Sequence, residues 1–162
     1  MIIRKARKGD LARLWELEIE DRKYHTKITD KKYLKLTKNK IDEAEQKDFV
    51  NSLSKSLKKK NEIILVAEKD EKIIGYIEGY LYNWDWSDYS NIKLAHINDI
   101  SVAENYRRKN IGTKLLEEFE KWAESKKCFY LGLNVWINNK RAIKFYKKNK
   151  FDDYLMYMIK KI

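Results

Sequence analysis

Apolar residues return at helical spacing in several stretches of this chain. Between them lie short runs that alternate or stay apolar throughout. Leu11, Leu14, Trp15, Leu17 and Ile19 predict a helix from Leu11 to about Asp21, with Gly9-Asp10 as its turn and N-cap. Ala44, Phe49, Val50, Leu53 and Leu57 predict a second helix within Asp42 to Lys60. Ile111, Leu115, Leu116, Phe119, Trp122 and Ala123 predict a third from Ile111 to Lys126, and a fourth follows from Asn139 to Lys148. Strands are expected at Ile2 to Ala6, Glu62 to Glu68, Ile73 to Tyr82, Ile92 to Val102, Cys128 to Trp136 and Asp152 to Ile162. Lys69 to Lys72 reads as a hairpin turn and Trp84 to Asn91 as a loop. Lys23 to Asn39 is polar and irregular, a loop or short helix anchored by Tyr24, Tyr33, Leu34 and Leu36. Gly75 and Gly79 either weaken their strand or permit a close approach. No linker, repeat or low-complexity segment divides residues 1–162, so one mixed α/β domain is expected.

Composition narrows the function classes. At 43% hydrophobic and 13% aromatic the 162 residues suit a folded core rather than a disordered chain. No apolar run approaches the ~20 residues of a membrane span, and Met1 to Lys5 lacks the apolar core of a leader peptide. The single Cys128 precludes an internal disulfide and reads as a buried thiol rather than a nucleophile. A cytoplasmic protein is the expectation. The formal net charge of +11 admits nucleic acid, an acidic partner or an anionic cofactor. Most lysines are interleaved with apolar residues at helical spacing, as on solvated faces. No helix-turn-helix, zinc or RNA-recognition pattern is present, which argues against nucleic acid, and no metal is called for.

The most informative stretch runs from Val102 to Leu116. An apolar strand ends in a basic loop, Arg107-Arg108-Lys109-Asn110, that opens into the third helix at Ile111, Gly112 and Thr113. Free N–H groups and the helix dipole make such a start an anion site, and the cations suit phosphate. Gly112 has no Cβ and would let a pyrophosphate approach the backbone. A solvated basic helix start is the ordinary alternative.

These residues resemble the acetyl-CoA loop of the GCN5-related N-acetyltransferase (GNAT) superfamily, Arg/Gln-x-x-Gly-x-Gly/Ala, with Asn110 in place of the first Gly. Asn tolerates the left-handed backbone that a Gly supplies there. Downstream, Asn139, Ala142, Phe145, Tyr146 and Phe151 match the pattern Asn-x-x-Ala-x-x-Phe-Tyr-x-x-x-Gly-Phe, with Lys150 in place of the Gly. The resemblance is specific from about Leu94 to Phe151. It implies an α/β (α+β) domain with a mixed, mostly antiparallel central sheet flanked by helices. It also implies acetyl transfer from acetyl-CoA (coenzyme A) to an amine by direct attack.

By the same resemblance, Tyr146 is the expected general acid and Asn139 holds the pantetheine arm. The backbone of Ile100, Ser101 and Val102 is expected to bind the arm's amides. Tyr146 could instead be a core tyrosine, and Asn139 an N-cap, or both. The family's usual base positions hold Asn98 and Asn134, so the base falls to Asp99, His96 or Glu78, or to a chain of ordered water. Alternation puts Tyr76, Glu78, Tyr80 and Tyr82 on one face. With Asp85, Asp88 and the acidic run Glu16, Glu18, Glu20 and Asp21, this face could receive a cationic amine; a tyrosine-rich core face is the ordinary alternative. The leading expectation is a small amine or polyamine acceptor. A protein N-terminus or lysine comes next, then a quiet acyl-CoA-binding module. The last strand is free to pair across a homodimer.

Overall fold

A computed structural model describes residues 1–31, 41–84 and 92–159. Its elements are β1 (Ile2–Lys5), α1 (Leu11–Ile28), α2 (Glu43–Ser56), β2 (Glu62–Lys69), β3 (Lys72–Trp84), β4 (Ile92–Val102), α3 (Ile111–Ser125), β5 (Tyr130–Leu133) and α4 (Lys140–Lys148). Among the described residues the strands form one sheet in the order β1-β2-β3-β4-β5. The first four are mutually antiparallel, and β5 runs parallel to β4.

Both faces of this sheet are covered, which explains why β2 reads as continuously apolar. Ile63, Leu65 and Ala67 face α3 and pack with Leu115, Leu116 and Phe119. Ile64 and Val66 face the other way and pack with Leu11, Leu14 and Leu17 of α1 and Leu53 of α2. The β2–β3 turn is a two-residue hairpin with Asp70 at φ 50 and Glu71 at φ 60, the left-handed pair that a tight hairpin requires.

Several expectations need correction. Helix α1 runs a further two turns past Asp21. Ion pairs hold that extension: Arg22 bonds Glu18 at 2.6 Å and Glu45 at 3.2 Å, and His25 lies 3.4 Å from Asp21. Apolar periodicity could not reveal a helix held this way. Asp10 stands before α1, but its carboxylate does not cap that helix. It accepts from Arg4 at 2.7 and 3.0 Å and from the Arg7 N–H at 2.7 Å. Residues 152–159 form no strand, although the sequence alternates there. Alternation specifies which side chains share a face but supplies no ladder partner. Tyr154, Leu155, Met156, Tyr157 and Met158 are all exposed. Strand β5 is shorter than expected, its ladder limited to four pairs with β4. The Trp84–Asn91 loop, with Asp85 and Asp88, and the anchors Tyr33, Leu34 and Leu36 lie outside the described residues, apart from the Trp84 backbone that ends β3.

Gly79 shows a close approach rather than a weak strand. A Cβ there would overlap the His96 carbonyl oxygen and stand 2.6 Å from the Phe119 ring. A Cβ at Gly75 would stand 2.8 Å from the Ser101 carbonyl oxygen.

Candidate active site

Strand β4 carries two irregularities that build the site. Glu78 pairs with Asp99 while Gly79 pairs with Ile97, so Asn98 is an extra, bulged residue. The ladder with β5 ends at the pair Ile97–Leu133, yet β4 continues to Val102. From Asn98 onward the β5-side edge of β4 therefore has no strand partner among the described residues, and a wedge opens between the two strands. Ile100, Ser101 and Val102 stand along it. Ser101 is buried, and its hydroxyl has no hydrogen-bond partner among the described residues.

At the end of the wedge lies the basic loop. Arg108 and Asn110 both adopt left-handed backbone, φ 61 and 62. The Asn that replaces the family's Gly thus sits where a Gly would be used. The first helical bond of α3 runs from Lys114 N–H to the Asn110 carbonyl at 3.1 Å. The N–H groups of Ile111, Gly112 and Thr113 stay outside the helical ladder. Arg107 donates from Nε to the Val102 carbonyl at 2.8 Å and so ties the loop to β4. Lys109 reaches the Asn105 carbonyl at 2.9 Å and lies 5.3 Å from the Tyr106 ring centre. Among the described residues the Arg108 side chain makes no hydrogen bond or ion pair, and it remains available to an anion. Gly112 is also packed closely: a Cβ there would meet the Phe145 ring at 3.2 Å, so the glycine seats α4 on α3.

Helix α4 closes the other side. The Asn139 side chain accepts from the Ala142 N–H at 3.0 Å and caps the helix, and its amide nitrogen lies 3.5 Å from His25 Nε2. Arg141 binds Asp21 at 3.3 Å and stacks 3.9 Å from the Tyr24 ring centre. The later turns of α1 therefore meet α4. Tyr146 is half-buried between Phe145 and Phe151, with ring centres 5.2 and 5.5 Å away. Burial, then the nearby carboxylates of Asp99 and Asp21, push its phenol above the ordinary tyrosine range. The structure thus brings Tyr146 and Asp99 to one site.

On the α1–α2 face of the sheet, Tyr76 donates a hydrogen bond to Asp99. Burial first, and then Glu18, raise the Asp99 carboxyl well above the usual carboxylate range. His96 lies 5.3 Å from Tyr80 and 5.9 Å from Tyr82, ring centre to ring centre. Burial lowers its pKa, which leaves the imidazole neutral at pH 7. Glu78 is 8% exposed and accepts from the Asn98 amide at 2.5 Å. Burial raises its pKa to about 7, with Glu18 and Glu62 adding to the rise and Asn98 opposing it. Asn134, the other family base position, is exposed beyond the end of β5. Cys128 is half-buried, and burial raises its thiol. No cluster of metal ligands occurs among the described residues, and no helix is long and apolar enough to cross a membrane.

Sequence reasoning missed the part played by the later turns of α1. The signal was present as acid–base pairs at four-residue spacing, Glu18 with Arg22 and Asp21 with His25.

Comparison with known proteins agrees with this architecture. Residues 11–151 match the Acetyltransferase (GNAT) family. An N-alpha-acetyltransferase of Sulfurisphaera tokodaii is 34% identical over 102 residues, covering 60% of this chain and 60% of that protein. The match thus spans less than two thirds of that relative's length. A tetramutant of the BH1408 protein from Bacillus halodurans has the same fold, with a TM-score of 0.85 at 20% identity and full coverage of both chains. An aminoglycoside N-acetyltransferase solved with CoA superimposes with a TM-score of 0.75 at 12% identity, covering 99% of this chain and 93% of that one.

Proposed function

The chain belongs to the GNAT family of acetyltransferases, and on that premise we propose that it transfers an acetyl group from acetyl-CoA to the primary amine of a small molecule by direct attack. The observation that carries this reading is the wedge. The β4 edge is open beyond Ile97 and ends at three helical N–H groups outside the ladder and a free Arg108. An open edge accepts an extended, amide-bearing chain as an added strand, and the helix start accepts phosphate. These features fit coenzyme A. Ile100, Ser101 and Val102 hold the pantetheine amides, and the N–H groups of Ile111, Gly112 and Thr113 face the pyrophosphate. Arg108 and Lys109 supply charge, while Arg107 and Asn110 shape the loop.

When bound, acetyl-CoA supplies an activated carbonyl and a thiol leaving group. Tyr146 is the proton donor to that sulfur, because its raised pKa keeps the phenol protonated through neutral pH. Asn139 fixes the start of α4 and thereby the place of Tyr146. His96 and Asp99 stand on the acceptor side: the neutral imidazole with Tyr80 and Tyr82 forms the wall, and Asp99, held by Tyr76, contributes negative potential. An ammonium suits the acidic groups on this face. A peptide amine is the second reading, motivated by the relative named an N-alpha-acetyltransferase. Retention of Tyr146 argues against a quiet binding module. The exposed apolar residues 154–158 support pairing of this segment with a second copy, and the same reading places the protein in the cytoplasm.

The test is thiol release from acetyl-CoA with a panel of polyamines, aminoglycosides, amino acids and short peptides, for wild type and Tyr146→Phe. Turnover with one amine class, reduced about 100-fold in the variant with coenzyme A affinity retained, is the expected result. Absence of coenzyme A binding by the wild type would refute the reading.

A further inference from the structure

We propose that Glu78 receives the ammonium of the acceptor and takes its proton, at the floor of a cleft between α2 and the β3–β4 pair. The inference rests on the acetyl-transfer reading above and deepens it. The cleft encloses about 240 Å³ and is bounded by Lys55, Lys59, Glu62, Tyr80 and Asn98, with Glu78 at its base. Three observations converge on this role.

The first is the missing cation. Several other partly buried carboxylates have an arginine partner: Asp10 and Glu68 have Arg4, and Glu18 has Arg22. Glu78 is more deeply buried, yet among the described residues its partner is the neutral Asn98 amide. A buried carboxylate without a cation is costly, and an ammonium entering the cleft would complete it. The second is placement. Glu78 pairs with Asp99 across the bulge at Asn98, where the β4–β5 wedge begins. Its backbone therefore lies two strand spacings, roughly 10 Å, from the β5-side edge of β4 where the acetyl group is expected, a gap that the Glu78 side chain and the bound amine together reach across. The third is the charge of the surroundings. Glu18 from α1 and Glu62 from β2 add negative potential. Lys59, in the turn after α2, is tied to Glu62 at 2.5 Å. Lys55, from α2, stands at the rim with no ion pair among the described residues. A carboxyl near pKa 7 in this field can hold an ammonium and then accept its proton.

The rim charge also selects the ligand class. A second ammonium on the acceptor would meet Lys55. The acceptor is therefore a primary amine with one ammonium in the cleft and a neutral or anionic remainder. In the step, the ammonium proton moves to a Glu78 oxygen. The nitrogen lone pair forms the bond to the acetyl carbon as the carbon–sulfur bond breaks. The sulfur takes the Tyr146 proton, the new amide nitrogen releases its second proton to solvent, and solvent restores the phenol and removes the Glu78 proton.

Two probes of equal length test this, 6-aminohexanoate and hexane-1,6-diamine, with wild type, Glu78→Gln and Lys55→Ala. Calorimetry measures binding of each probe and of coenzyme A, and thiol release gives kcat/KM from pH 5.5 to 9. Wild type should bind and acetylate 6-aminohexanoate at least tenfold better than the diamine. Glu78→Gln should bind coenzyme A normally, lose at least tenfold in probe affinity, and lose the acid limb near pH 7. Lys55→Ala should narrow the preference between probes. A Glu78→Gln profile that keeps its acid limb and probe affinity would overturn the proposal. So would preference for the diamine, or binding of neither probe by wild type that binds coenzyme A. Wild type that binds 6-aminohexanoate but not coenzyme A would overturn the acetyl-transfer reading instead and leave the ammonium site standing.

Discussion

Replacing Glu78 by Gln should stabilise the protein, and only above about pH 5. Burial raises the Glu78 pKa from 4.5 to about 7. The folded state therefore binds its proton more tightly than the unfolded chain does. Between these two values the native state carries more bound protons, so stability falls as pH rises through this window and stays lower above it. A rise of about 2.5 pKa units corresponds to roughly 3 kcal/mol at about 1.36 kcal/mol per unit. The residue is 8% exposed, so solvent screening reduces this little. Gln keeps the shape, and its carbonyl can still accept from the Asn98 amide. The difference in unfolding free energy, variant minus wild type, should grow from near zero at pH 4.5 to about 3 kcal/mol at pH 8. For a chain of this size that is roughly 6–12 °C in Tm. Urea titrations of both proteins at half-unit pH steps measure it, and the shared background of other ionisable groups cancels in the difference. A difference that stays flat across the window would refute the argument, because Glu78 would then titrate like an exposed carboxyl.

Other outcomes follow from different parts of the fold. Gly79→Ala should cost more than about 3 kcal/mol or prevent folding, since the new methyl overlaps the His96 carbonyl and the Phe119 ring; Gly9→Ala, with nothing within 4 Å, is the control in the same denaturation assay. The Arg4 bond, which outweighs the opposing effect of burial, holds the Asp10 carboxyl below its usual range, so its stabilisation is present above pH ~4 and lost as pH falls through the lowered value. Arg4→Met should therefore cost about 2 kcal/mol at pH 6 and progressively less toward pH 2, read from acid unfolding curves. Arg108→Ala should weaken coenzyme A binding several-fold and make it less sensitive to salt between 50 mM and 500 mM, as calorimetry would report.

The parts of the site that are local in sequence were legible, and those assembled across the fold were not. The loop before α3 could be read because a left-handed residue, a run of cations and a helix start are all set within a few positions, and Asn110 adopts the backbone expected of it. The face shared by Tyr76, Glu78, Tyr80 and Tyr82 followed from alternation. The weight of Glu78 did not, because it depends on a bulge in the neighbouring strand and on burial beneath α2. Gly112 shows the same limit: the crowding that requires a glycine there comes from Phe145, more than thirty residues later. The exposed apolar tail shows the reverse, a pattern that specifies a strand without specifying its partner.

The net charge of +11 hides a separation that the fold makes plain. Arg107, Arg108 and Lys109 follow the end of β4, whereas Glu18, Asp21, Glu78 and Asp99 gather near its bulge. From Asn98 to Val102 is about 13 Å of extended chain. One strand thus spans from an acidic pole suited to an ammonium to a basic pole suited to phosphate. An acetyl donor with a phosphate tail fits between these poles in only one direction, with its reactive end toward the carboxylates. The acidic pole raises the phenol that is to protonate the leaving sulfur and the carboxyl that is to deprotonate the amine. The acidic pole makes its own prediction. Glu18→Gln, a change on α1 that need not touch the reacting groups, should lower the acid limb set by Glu78, because Glu18 adds to the rise of that carboxyl. An acid limb that stays in place would show that Glu18 contributes nothing to the field at Glu78.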